Sequence, residues 1–127
     1  MEKIKLEISK GRTIHEVQLD FTVRYAFLKL EFYKPAEAGA PIKAREKLPH
    51  SALLRFAGLK NNGYVEISDD MTVIGLEKKF LDQFGLNVQV SRNFGGIWLE
   101  TTMTDNWSLQ KQNDYGREII SSVKKII

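Results

Sequence analysis

The sequence predicts an α+β fold built from two copies of one β-α-β-β-α unit. The octets LEISKGRT at residues 6–13 and VEISDDMT at residues 65–72 nearly match, and a shift of 59 residues extends the match along the chain. Each octet is followed by apolar residues at helical spacing and flanked by alternating strand patterns. We therefore predict a single domain over 1–127, with internal repeat halves at about 1–60 and 61–127 related by a pseudo-twofold axis.

The first strand and first helix of each half are predicted by the same pattern. KIKLEIS and GYVEIS alternate apolar and polar residues, which is typical of half-buried strands. Thr13 and Thr72 stand at the N-cap position of the helices that follow. Thr13 has Glu16 at capping-box spacing, whereas the second half has Gly75 there. The helical stripes consist of Ile14, Val17, Phe21 and Tyr25 in the first half and Val73, Leu76, Phe80 and Phe84 in the second.

The remaining elements differ more between the halves. Leu28–Tyr33 and Leu86–Ser91 alternate as second strands, and Gly85 is typical of a helix end. The second half turns at RNFGG and returns as IWLETT, which predicts a hairpin. In the first half, PAEAGAP leads into IKAREKL, a weaker candidate strand. HSALLRFAG then predicts a short helix, and SLQKQNDYGREIISSVKKII a long one broken near Gly116.

We expect these elements to form mixed sheets covered by helices. The first six elements, over residues 3 to 68, have the β-α-β-β-α-β order of a ferredoxin-like unit. This order implies no particular function, because that fold carries many unrelated activities.

Composition and charge exclude several classes of protein. The 127 residues are 43% hydrophobic and 28% charged, as in globular domains, and they include no cysteine. Disulfides, thiolate metal sites and thiol nucleophiles are therefore excluded. No apolar stretch resembles a signal peptide or a membrane helix, so we expect a cytoplasmic protein.

The net charge of +3 is unevenly distributed along the chain. The first 60 residues have 12 Lys or Arg against 7 Asp or Glu, whereas the rest have 7 against 9. This distribution has three interpretations: ordinary surface variation, attraction between the halves, or an acidic partner that binds the basic half.

No pattern in the chain predicts catalysis, a cofactor or a metal site. His15 and His50 are 35 residues apart, and neither has a neighbouring His or Cys. Phosphate-binding glycine motifs and the GxSxG nucleophile motif are absent. We therefore expect a non-catalytic interaction module that binds a protein partner. A further alternative is an enzyme with an unrecognised site.

The candidate partner-binding residues lie in RNFGGIWLETTMTDNW, residues 92–107, which contains both tryptophans. Large aromatic side chains and arginine dominate the energy of many protein interfaces. The candidates are Arg92, Phe94, Trp98 and Trp107. If Ile97 and Leu99 face the core, Trp98 faces the opposite side of the strand.

The alternative function is single-stranded nucleic-acid binding through the basic first half. A sheet that combines aromatic rings with Lys and Arg can stack and neutralise a nucleic-acid strand. The candidate residues are Lys29, Tyr33, Lys43, Arg45 and Lys47. Acidic residues are interspersed among them, and no RNP-like or GXXG motif is present. The partner's identity and the oligomeric state stay open.

Overall fold

The computed structural model describes residues 3–35 and 46–126. They form an α+β fold, as predicted, with five strands and three α-helices where the repeated unit predicts six strands and four helices. The elements in chain order are β1 (Lys3–Ile8), α1 (Ile14–Arg24), β2 (Leu28–Tyr33), β3 (Gly63–Ser68), α2 (Val73–Phe84), β4 (Asn87–Phe94), β5 (Ile97–Glu100) and α3 (Leu109–Ile126). Short 3-10 helices occupy Leu54–Ala57 and Thr102–Thr104.

The strands form two antiparallel sheets, which corrects the prediction of mixed sheets. β1 pairs with β3, and the second sheet has the order β2-β4-β5. Parallel strands arise when a helix returns the chain to the sheet that it left. Here α1 and α2 each carry the chain from the first sheet to the second, so no parallel pair forms among the described strands.

The strand register brings matching positions of the two halves opposite each other. Leu6 lies opposite Val65, and these residues correspond under the 59-residue shift. Glu31 lies opposite Gln89, and these correspond under a shift of 58 in the second strands.

The core contains the two predicted helical stripes. Phe21 and Phe80 are fully buried, and Phe80 contacts Phe32 edge to face at 6.1 Å between ring centroids. All eight stripe residues are buried, which confirms the predicted periodicity.

The predicted helix ends are also confirmed. The Glu16 N–H donates to the Thr13 hydroxyl at 3.2 Å, and the Thr13 N–H donates to the Glu16 carboxylate at 3.1 Å, which completes a capping box. The Thr72 hydroxyl accepts from the Gly75 N–H at 3.1 Å without a reciprocal bond. Gly85 ends α2 at φ 69, a left-handed conformation that favours glycine.

Two predicted helices differ from the structure. HSALLRFAG contains a four-residue 3-10 helix, Leu54–Ala57, instead of an α-helix. α3 is continuous through Gly116 instead of broken there. A Cβ added at Gly116 would lie 2.8 Å from the Cβ of Phe27, so this glycine permits close packing and does not end the helix.

The weaker strand predicted in IKAREKL lies partly outside the described residues. In its described part, Lys47 forms an isolated antiparallel bridge with Tyr33. The ferredoxin-like order requires a full strand and an α-helix between β2 and β3, and so it stays a prediction. In the ranges 3–35 and 46–126, no helix combines the length and the apolar character needed to cross a membrane.

Candidate functional site

The β4–β5 hairpin forms one end of the larger sheet. Gly95 and Gly96 connect its strands with φ values of 60 and 100, which are the positive angles of a tight two-residue hairpin turn. β5 pairs with β4 on one side only, and no described strand pairs with its other side. All four residues of β5 are exposed.

The outer side of β5 presents backbone hydrogen-bonding groups. The backbone N–H and C=O of Val90 point toward the β5 side of β4. The N–H donates to the Glu77 carboxylate at 3.0 Å, and the C=O accepts from the Thr101 N–H at 3.3 Å. Antiparallel strands alternate between residues that bond the partner strand and residues that point away. By this alternation and the register, Trp98 and Glu100 direct their N–H and C=O groups away from β4.

The apolar side chains of β5 are exposed on both faces of the strand. Ile97 is 63% exposed and Leu99 is 43% exposed, so these two side chains do not face the core. The buried side chains of the larger sheet lie on β2 and β4, and β5 extends beyond the core. We call Phe94 and Ile97–Leu99 the hairpin edge.

Trp98 lies on the opposite face of β5 from Ile97 and Leu99 and is 36% exposed. The ammonium group of Lys29 lies 5.4 Å from the centroid of its ring, within cation–π distance. Trp98 also borders an open cleft of about 340 Å³ between α1 and the larger sheet. The cleft is lined by His15, Gln18, Leu19, Thr22, Lys29, His50 and Trp98.

Arg92 and Trp107 belong to a different cluster, next to α3. The Arg92 guanidinium lies 4.6 Å from the ring centroid of Tyr115 and 5.9 Å from that of Trp107, and it donates to Gln112 at 2.6 Å. Lys111 lies 4.3 Å from the Trp107 centroid. Arg92 therefore holds α3 against the sheet. The structure brings Phe94 and Trp98 together on one hairpin but separates Trp98 from Arg92 and Trp107.

The described candidates for nucleic-acid binding have acidic or buried surroundings. The Glu31 carboxylate lies 3.0 Å from the Lys29 ammonium and 3.9 Å from that of Lys47. Tyr33 is buried, and this burial, with Glu100 next in effect, raises the pKa of its hydroxyl to about 12. Its ring is not placed to stack on a base.

Lys43 and Arg45 lie outside the described residues. Nucleic-acid binding therefore stays a prediction.

Glu77 on α2 is a carboxyl group near β5 whose pKa is raised. Burial raises its pKa to about 7, and the nearby charges of Asp105 and Glu100 act in the same direction. Its counterpart under the 59-residue shift is Gln18, whose amide donates to the Leu30 C=O at 2.7 Å. Each helix thus uses one polar side chain to satisfy a backbone group of the larger sheet.

Ion pairs also connect the two halves. The Asp69 carboxylate accepts hydrogen bonds from Arg24 and, at 2.8 Å, from the hydroxyl of Tyr25. Burial and Asp69 together raise the pKa of that hydroxyl. Lys3 and Glu66 form a second pair at 3.2 Å on the surface.

The structure brings together two histidines that have no neighbouring His or Cys in the sequence. The rings of His15 and His50 are in edge contact, with 5.0 Å between centroids, at the cleft beside Trp98. Their separation of 35 residues gives no local pattern that could have revealed this contact. In the part of the chain that the structure describes, no group of three or more His, Cys, Asp or Glu could hold a metal ion.

Compared with protein-family models, with curated proteins and with solved structures, the chain matches none of them.

Proposed function

We propose that this protein is a non-catalytic interaction module whose hairpin edge binds an extended segment of a partner protein. The observation that supports this most is the combination, on β5, of an outer backbone edge without a described partner strand and exposed apolar side chains. An extended segment that adds a strand there would satisfy the backbone groups of Trp98 and Glu100.

The composition of the edge favours binding over a purely structural role. Proteins usually protect an edge strand by keeping it very short, or with lysine, proline, a bulge or a covering element, and of these β5 has only its length of four residues. The strand IWLE contains neither Lys nor Pro, and its only charged residue is Glu100. Exposed apolar side chains that adjoin one another mark interaction sites more often than isolated ones do.

The charges near β5 define the chemistry of the partner. The charges of Glu100 and Asp105 lie close enough to Glu77 to raise its pKa. A basic residue of the partner beside Glu100 would offset this repulsion. The partner segment that fits is therefore extended, with an apolar residue beside Ile97 or Leu99 and a Lys or Arg beside Glu100.

A displayed library of random peptides, selected on the folded protein, tests this proposal. Enriched peptides should combine alternating apolar residues with Lys or Arg, and they should bind much more weakly to Leu99→Lys and Trp98→Ala variants. Val23→Lys is the matched control, because Val23 is an 87% exposed apolar residue on α1. Its substitution should leave peptide binding unchanged.

Two results would contradict the proposal. One is a selection without enrichment, and the other is enriched peptides that bind the Leu99→Lys variant as tightly as the unaltered protein. Sedimentation of the protein alone shows whether a second copy occupies the edge, because such a dimer would dissociate in the Leu99→Lys variant. Tight, salt-sensitive binding of a labelled single-stranded oligonucleotide would instead favour the nucleic-acid alternative.

We also propose that the two halves arose by duplication of one unit. The N–H groups of Ile14 and Val73, which correspond under the 59-residue shift, donate to the C=O groups of Ala52 and Trp107, respectively. The next residues repeat this arrangement: His15 donates to the C=O of His50, and Ile74 to that of Asp105. These two pairs of acceptors share a single shift of 55 residues, which supports a common origin.

Superposing residues 3–34 on residues 62–92 tests the duplication. The account predicts one shared strand-helix-strand path. Paths that diverge within the helices would contradict it.

A further inference from the structure

We propose that His15 and His50 form a two-ligand site for a divalent transition-metal ion, of the Cu²⁺, Ni²⁺ and Zn²⁺ class, at the cleft beside Trp98. The proposal does not depend on the function of the hairpin edge. Its basis is the contact between two imidazole rings that the fold brings together from distant parts of the chain.

The backbone fixes the positions of both histidines. His15 lies in the first turn of α1, and its N–H donates to the C=O of His50 at 2.8 Å. The neighbouring bond from the Ile14 N–H to the Ala52 C=O, at 2.9 Å, holds the same two segments together. The backbone positions of the two histidines are therefore fixed before an ion binds, so that only the side-chain rotamers have to be ordered.

The distance between the rings suits a shared ion. Imidazole nitrogens bind zinc at about 2.0–2.1 Å with near-tetrahedral angles, which places two ligand rings roughly 5 Å apart between centroids. The observed separation is 5.0 Å. Both histidines are exposed, so their rings can turn their nitrogens toward a common point.

The surroundings define which ions would bind. Imidazole favours borderline ions such as Cu²⁺, Ni²⁺ and Zn²⁺, whereas Mg²⁺ and Ca²⁺ require oxygen ligands. Lys29 lines the same cleft, and its charge is offset by Glu31 at 3.0 Å. With two protein ligands, the remaining coordination positions are open to water.

Tryptophan fluorescence tests this site directly, because Trp98 lines the same cleft. In an untagged Trp107→Phe variant, Trp98 is the only remaining tryptophan. Cu²⁺ and Ni²⁺ should quench its fluorescence saturably at neutral pH, with Cu²⁺ binding more tightly, and Mg²⁺ should have no effect. Calorimetric titration of the unaltered protein with Zn²⁺ gives a second measurement that does not depend on the Trp107 substitution.

Variants of each histidine provide the controls. His15→Asn and His50→Asn keep the backbone bond between the segments, and thermal melting verifies that each variant is folded. Each should weaken binding at least about tenfold, because the second imidazole otherwise binds intramolecularly at a high effective concentration. Absence of saturable quenching and of a Zn²⁺ titration signal, or metal affinity that both variants retain, would overturn the proposal.

Discussion

Replacement of Glu77 by glutamine gives a sharp test of the polar contacts between α2 and the larger sheet. The Glu77 carboxylate accepts from the Val90 N–H at 3.0 Å. Burial raises its pKa from 4.5 to about 7, and the charges of Asp105 and Glu100 act in the same direction. Glutamine has nearly the same shape as glutamate and keeps an acceptor oxygen for the Val90 N–H, but its side chain is uncharged at every pH.

The sign of the effect follows from the raised pKa. Between the ordinary value of 4.5 and about 7, the folded protein holds a proton on Glu77 that the unfolded chain has lost. The contribution of this group to stability is therefore fully present below pH 4.5 and is lost as the pH rises through about 7. A shift of this size corresponds to at most about 3 kcal/mol, and solvent screening of the partly exposed side chain reduces it to about 1–2 kcal/mol.

Urea denaturation at a series of pH values measures this difference. Relative to the unaltered protein, Glu77→Gln should gain about 1–2 kcal/mol in free energy of unfolding between pH about 4.5 and about 8. The exposed Glu118 provides the control, because Glu118→Gln should show no such gain. A difference between Glu77→Gln and the unaltered protein that stays constant across this pH range would refute the reasoning.

Further predictions concern the core and the packing of α3. Phe21→Ala and Phe80→Ala should each reduce the free energy of unfolding by about 3–5 kcal/mol, because both rings are fully buried; a cost below about 1 kcal/mol at either position would contradict the core assignment. Gly116→Ala should destabilise by up to about 2 kcal/mol, because overpacking against Phe27 costs about 1–3 kcal/mol and exceeds the gain of about 1 kcal/mol in helix propensity. Gly11→Ala is the control, because a Cβ added at Gly11 has no atom within 4 Å and so has no steric cost. A Gly116→Ala protein that is more stable than the unaltered protein would contradict this prediction, because it would show that the contact with Phe27 relaxes easily.

Local patterns in the sequence predicted the parts of the fold that local physics determines. The helical stripes through Phe21 and Phe80 required only the 3.6-residue period, and the end of α2 required only the φ freedom of Gly85. The residue pattern of a capping box sufficed to predict the start of α1. Each of these features depends on residues within a few positions of one another.

The features that the sequence did not predict depend on tertiary neighbours. The conformation at Gly116 reflects the closeness of Phe27, which is remote in sequence. The exposure of Leu99 depends on how far the core extends across the sheet and cannot be read from the alternation of a strand. The contact of His15 with His50 results from backbone pairing between segments 35 residues apart, so neither residue has a local signal.

Amide hydrogen exchange at β5 tests most directly the claim that the hairpin edge binds an extended segment. In the protein alone, the amides of Ile97 and Leu99 should be protected by pairing with β4, whereas those of Trp98 and Glu100 should exchange rapidly. Addition of a peptide selected for binding should slow exchange at Trp98 and Glu100 by at least about tenfold and leave Ile97 and Leu99 protected. Fast exchange at Trp98 and Glu100 in the presence of saturating peptide, or protection of both amides in its absence, would contradict the proposed binding edge.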